Sequence, residues 1–279
     1  MAVFRINKVP LRPAQEVLKL RANLLVYLKQ LVARQGTLLD AEMQALLNYL
    51  LVVEEDENLH DVLYLLITLL VDTPNAVGST FIRNDALHVA FKRLSVLDES
   101  NRVYAIKLLG FHLHFSRIHK YDDLMDRYGL FDLMVERLHA VAPNLSVVTY
   151  NALFEVLINS ISSRPQSAPK SLIAADTVIQ QPQMIRVISE LIYRSEKNAE
   201  STMVRQIFLQ HLLSLCTQNT QNRRNSRFDT TLWNYNKWGR HQDQNERSMA
   251  YRFPGWGRAD FPGGIRGRRG TGGDTNGPG

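Results

Sequence analysis

Apolar residues recur through the body of the chain at intervals of three and four, and the breaks between these stretches carry the residues that start and stop helices. Pro13 precedes AQEVLKLRANLLVYLKQLVARQ and Gly36 follows it, a proline just inside a helix start and a glycine just past its end. A second helix is predicted to open with Asp40 as its N-cap and to run through AEMQALLNYLLVV to the acidic turn Glu54-Glu55-Asp56-Glu57. A third, HDVLYLLITLLVD, should stop at Asp72-Thr73-Pro74, because a proline disfavours helical geometry in the residue before it. The same periodicity predicts helices in NDALHVAFKRLSVL, NRVYAIKLLGFHLHFSRI, YDDLMDRY, LFDLMVERLHAV, SVVTYNALFEVLINSI, QMIRVISELIYRS and STMVRQIFLQHLLSLC. SSRPQSAPKS, with two prolines and four serines, reads as a loop, extended here to about residues 162–181. No stretch of the body alternates like a strand for long.

The run LLGFHLHFSRIHKY gathers His112, His114 and His119 among aromatic residues and raises the question of a metal or general-base site. Stepping each residue by about 100° around a helix places Lys107, Gly110, His114 and Arg117 on one narrow polar stripe, with apolar side chains nearly everywhere else. His112 then falls on the apolar face and His114 on the stripe, roughly 200° apart, so the two cannot hold one metal together. His112 is read as a buried imidazole hydrogen-bonded to a neighbouring group, His119 as part of the following turn, and His88 and His211 as standing alone. Lys107, His114 and Arg117 form a candidate partner-binding surface, beside the plainer reading of a solvated face.

A helix wet along a single stripe must be covered by other helices on several sides. That is the situation of inner helices in stacked repeats, where each unit buries its apolar face against its neighbours. Helix pairs recur at roughly 35 to 50 residues without a strict consensus, which suits armadillo- or HEAT-like units. The fold class expected is therefore all-α, an α-solenoid over residues 1–217, in preference to a compact irregular bundle.

Composition divides the chain in two. Its 279 residues are 45% hydrophobic, enough for one sizeable core. The formal charge of +6 belongs to residues 218–279, which hold eleven Lys and Arg against five Asp and Glu, along with eleven of the fifteen glycines and all three tryptophans. A segment so rich in glycine and without apolar periodicity does not recover the entropy of ordering, so this end is expected to be disordered. Its arginines, Arg266, Arg268 and Arg269 among them, alternate with glycine and are interleaved upstream with Trp233, Trp238, Trp256 and other aromatics. Such a tail could neutralise phosphates and stack on unpaired bases, which makes RNA or an acidic surface an alternative partner.

Sites of chemistry are scarce. Glu54 to Glu57 lacks the alternating ligands and central glycine of a calcium loop. Asp122, Asp123 and Asp126 suit the capping of a short helix. No phosphate loop, nucleophile elbow or HExxH pattern occurs, and Cys216 lies in the apolar run HLLSLC as an ordinary core thiol. No enzymatic activity, cofactor or metal is expected. From the lone cysteine, a start without the pattern of a secretory leader and the lack of a long uncharged run, a cytoplasmic protein without a transmembrane segment is expected.

The run RVYAIKLLGFHLHFSRIHKYDDLMDRYGLFDLMVERL (102–138), followed by LSVVTYNALFEVL (145–157), QPQMIRVISELIYRS (181–195) and VRQIFLQHLLSLCTQNTQNRRN (204–225), resembles the helical region of the neurobeachin family of BEACH-domain proteins. LLGF, TYNALFE and QNRRN in this order carry the resemblance. It implies an armadillo-like segment of the kind that lies upstream of pleckstrin-like, BEACH and WD-repeat portions. It further implies a scaffold with protein partners, working in vesicle and membrane-protein trafficking and peripherally associated with endomembranes. After Asn225 the sequence departs from the family's apolar helices toward glycine and arginine, and the BEACH and WD-repeat parts are missing, so the chain is read as a fragment or short form. The amphipathic segment by which some members anchor protein kinase A matches no particular residues here.

Overall fold

The computed structural model describes residues 14–118, 124–167, 174 and 176–219. Among them the chain forms α1 (Ala14–Gln35), α2 (Asp40–Val52), α3 (Asp56–Asp72), α4 (Pro74–Arg83), α5 (Ala86–Arg93), α6 (Glu99–Ile118), α7 (Leu124–Arg127), α8 (Leu130–Val141), α9 (Val147–Ile158), α10 (Gln183–Arg194) and α11 (Ala199–Gln218). No strand occurs among the described residues.

Local chemistry sets most of the boundaries. α1 ends at Gly36, whose φ of 69° is left-handed and open to glycine without a side-chain penalty. α3 ends at Asp72, and Thr73 separates it from α4, whose first residue is Pro74. Asp40 was predicted to cap α2 but is its first helical residue; Leu39 holds the cap position and its amide donates to Glu42 Oε2 at 2.9 Å. The Asp40 carboxylate instead turns outward to Arg83 (3.0 Å) and Asn84 (3.0 Å).

Two rows of helices emerge from the packing. α1, α3, α6, α9 and α11 pack in succession as one row, with α2 and α5 forming a second row that α8 and α10 continue. The last four members of the first row begin at residues 56, 99, 147 and 199, spacings that start within the ~40–47 residues of HEAT and armadillo units and lengthen past them along the chain. α6, at the centre, is buried from Asn101 through Leu113 without a break.

Polar contacts tie equivalent positions of successive units. Arg93 at the end of α5 donates to the carbonyls of Leu50 (2.6 Å) and Val53 (2.8 Å) at the end of α2. Arg137 of α8 repeats the contact one unit later, donating to Phe91 O at 3.1 Å. Both arginines are the eighth residue of their helix and precede a leucine, Leu94 and Leu138. Burial pulls the Arg93 guanidinium below its ordinary pKa, opposed by the negative charges of Asp56 and Glu54. The acidic run thus has a place: Asp56 and Glu57 form the first turn of α3, where the helix dipole favours them.

The inner helices share a cap as well. Asp98, Ser146 and Asn198 each accept the amide three residues on, from Asn101 (2.8 Å), Thr149 (3.1 Å) and Ser201 (2.7 Å). These caps start α6, α9 and α11 in the same way, and in α6 and α9 the residues nine past the cap face one another.

Candidate functional site

The polar stripe of α6 does not face water. Lys107 lies nine residues after the cap Asp98, and Glu155, the one charged residue of α9, lies nine after the cap Ser146. The shared offset brings them together: Lys107 Nζ meets Glu155 Oε2 at 2.9 Å, both side chains 1% exposed. Lys107 is therefore not part of a partner-binding or solvated face, as the helical wheel suggested. A wheel reports which face is polar, and a polar face can be satisfied by protein as well as by solvent.

The remaining donors of Lys107 reach the connection between α9 and α10. Nζ shares its two remaining protons among Ser162 O (2.8 Å), Ser162 Oγ (3.0 Å) and Arg164 O (2.9 Å). Glu155 grips the same turn from the other side, accepting from Ser162 N at 3.0 Å and Ser162 Oγ at 2.8 Å. Asn151, one helical turn earlier, donates to Gln166 O at 2.8 Å. The ammonium, the carboxylate and the serine satisfy one another, which is the condition under which a buried ion pair is tolerated.

The rest of the stripe serves the same connection. A Cβ on Gly110 would lie 2.6 Å from both Val156 Cγ2 on α9 and Ile161 Cδ1 in the connection, so only glycine permits this approach. His114 Nδ1 accepts from Asn159 Nδ2 at 2.8 Å, which puts the ring proton of the neutral imidazole on Nε2. Burial and the neighbouring Arg117 charge lower the His114 pKa and favour that neutral form. Asn159 itself ends α9 in the left-handed conformation at φ 53°. Arg117, exposed on the last turn of α6, bonds the side chain of Gln180 just before α10. Lys107, Gly110, His114 and Arg117 together form the seat on which the α9–α10 connection lies. That connection was predicted as a loop on composition, and its described ends are clasped rather than free.

Two further histidines are packed inside the fold. His112 is 5% exposed, and burial pushes its pKa down to about 4. The predicted hydrogen bond is not formed at its Nδ1, which meets no partner among the described residues. His211 does not stand alone: its Nδ1 lies 2.8 Å from the Tyr150 hydroxyl, and its ring packs against Phe154 at a centroid distance of 4.5 Å. Cys216 is half-buried rather than a core thiol. His119, Asp122, Asp123, the tryptophans, and Arg266, Arg268 and Arg269 with the whole Gly/Arg-rich tail lie outside the described residues. Among the described residues no group of three His, Cys, Asp or Glu could hold a metal ion, and no helix is long and apolar enough to cross a membrane.

Comparison with known proteins places this arrangement. The family model described as "Neurobeachin/BDCP, DUF4704 alpha solenoid region" matches residues 5–240. A "Putative neurobeachin homolog" of Caenorhabditis briggsae is 30% identical over 215 residues, 75% of this chain and 8% of the relative. The protein of the same description from Caenorhabditis elegans is 29% identical over 215 residues, 75% of this chain and 9% of its own length. The chain thus spans less than a tenth of these relatives, and no solved structure matches it.

Proposed function

The chain belongs to the neurobeachin/BDCP alpha-solenoid family, and from that premise we propose that it is a non-enzymatic scaffold, the protein-interaction module of a neurobeachin-type protein in vesicle and membrane-protein trafficking. One observation carries this reading: the polar stripe that looked most like a site is spent on holding the stack together. Lys107 and Glu155 lock two inner helices and a connection into one piece, which suits a molecule whose work is to keep a surface in shape. Stacked helices of this kind present rows of side chains against which a partner helix or extended peptide lies with little rearrangement. His114 and Arg117, at the edge of the seat, are the members of the stripe still within reach of such a partner. The scaffold works in the cytoplasm, peripherally on endomembranes.

The test compares affinity capture by the full chain with capture by a chain lacking residues 218–279, alongside a salt titration against single-stranded RNA. Retention of the same protein partners after the deletion, with no RNA binding at roughly physiological salt, supports the scaffold. Loss of capture with the tail, and an RNA affinity that falls steeply with salt, would replace it with phosphate binding by the Gly/Arg segment around Arg266, Arg268 and Arg269.

A further inference from the structure

α1 carries its apolar face outward. Val17, Leu20, Leu24 and Leu28 are 46%, 48%, 53% and 42% exposed, and half-buried Leu31 continues the same line. At ~100° per residue these five fall within one stripe along the helix. α1 is fixed to α3 by the adjoining face, about a quarter of a turn round the helix, through Val32 and the ion pairs Arg21–Asp61 (2.7 Å) and Lys29–Asp72 (2.6 Å). The stripe is therefore left uncovered by the docking that holds the helix in place.

Its spacing is self-complementary. The intervals 17–20, 20–24, 24–28 and 28–31 are three, four, four and three residues, the same read in either direction from Leu24. Two such helices laid antiparallel with Leu24 against Leu24 pair Leu20 with Leu28 and Val17 with Leu31, apolar against apolar along the seam. Charge agrees: exposed Glu16 in the first turn comes within a turn of exposed Arg34 from the last turn of the second copy, whereas a parallel pair sets like against like. The outer face of α11 lacks this property, since Gln206 and Gln210 interrupt Met203, Leu209 and Leu213.

We propose that the α1 stripe is a homodimer seam, binding the α1 stripe of a second copy of this chain in antiparallel register about Leu24. A single helix of about 33 Å gives a seam at the small end of specific interfaces, so self-association falls in the micromolar range. The proposal stands independently of the scaffold reading.

Sedimentation of the full chain tests it, with Leu24→Lys as the variant. Leu24 is half in water already, so the variant keeps the helical circular dichroism and melting temperature of the parent while its dimer dissociation constant rises at least about tenfold, the cost of placing two like charges on the axis. Register is read by oxidation in a Cys216→Ser background. Leu24→Cys forms a disulfide between copies, and Val17→Cys, whose two copies lie about 20 Å apart in the antiparallel seam, does not. A chain that stays monomeric at concentrations on the order of 100 μM overturns the proposal. So does a dimer indifferent to Leu24→Lys, or a Val17→Cys chain that cross-links as readily as Leu24→Cys.

Discussion

α6 and α1 invert the usual relation between polarity and burial. On α6 a lysine is 1% exposed; on α1 a leucine is 53% exposed. Both helices read as amphipathic, and the difference lies in their place along the row. α6 has α3 on one side and α9 on the other, with α4 and α5 against it, so even its polar stripe must find partners in protein. Among the described residues α1 packs closely on α3 alone, and its apolar stripe is exposed. In a stack, position decides whether a stripe becomes interior, because each helix supplies only part of its neighbour's cover.

The largest test of that contrast is to leave one charge of the α6–α9 pair alone. Lys107→Met should cost on the order of 3–5 kcal/mol in urea unfolding, since Glu155 is then buried without its counter-charge. Hydrogen exchange at the Ser162 amide should speed up at the same time. Acid probes the same buried layer through His112. The unfolded imidazole takes a proton near its ordinary pKa of 6.5 and the folded one only near 4, so between these values the unfolded state binds more protons. Stability should therefore fall as pH drops through that window, by an amount on the order of 3 kcal/mol at most, and His112→Leu should flatten the slope.

Smaller effects sharpen the comparison. Removing a buried inter-unit arginine, as in Arg137→Met, should cost about 1.5–3 kcal/mol by thermal unfolding, because Phe91 O loses a charged donor. Gly110→Ala should cost about 1–3 kcal/mol, since α9 and the connection must move away from the new methyl. At the exposed edge of the stripe Arg117→Ala should change stability by less than about 1 kcal/mol, because its bond to Gln180 lies in solvent.

Much of the fold is legible in the sequence. The stop before Pro74, the end of α1 at Gly36 and the bounds of α8 at Leu130 and Val141 follow from local rules that need no tertiary knowledge. α4 was missed because Pro74 was read only as a stop, whereas a proline is equally suited to a first helical turn. The stripe was located correctly and misjudged in kind. Its partners Glu155, Asn159, Ser162 and Gln180 lie 45 to 63 residues further on, beyond any window in which periodicity operates. One signal was available: FKRL and VERL recur at the same offset in α5 and α8, and a lone lysine and a lone glutamate follow the caps Asp98 and Ser146 at equal distance. Aligned on those marks, the sequence itself sets Lys107 against Glu155.

Lys107 and Glu155 act as one interacting unit, and a double-mutant cycle measures their coupling directly. Lys107→Met, Glu155→Leu and the double variant should show a coupling energy of about 2–3 kcal/mol, with the double variant recovering much of the stability that either single one loses. Single costs that simply add, to within about 0.5 kcal/mol, would mean the two charges do not hold the stack together.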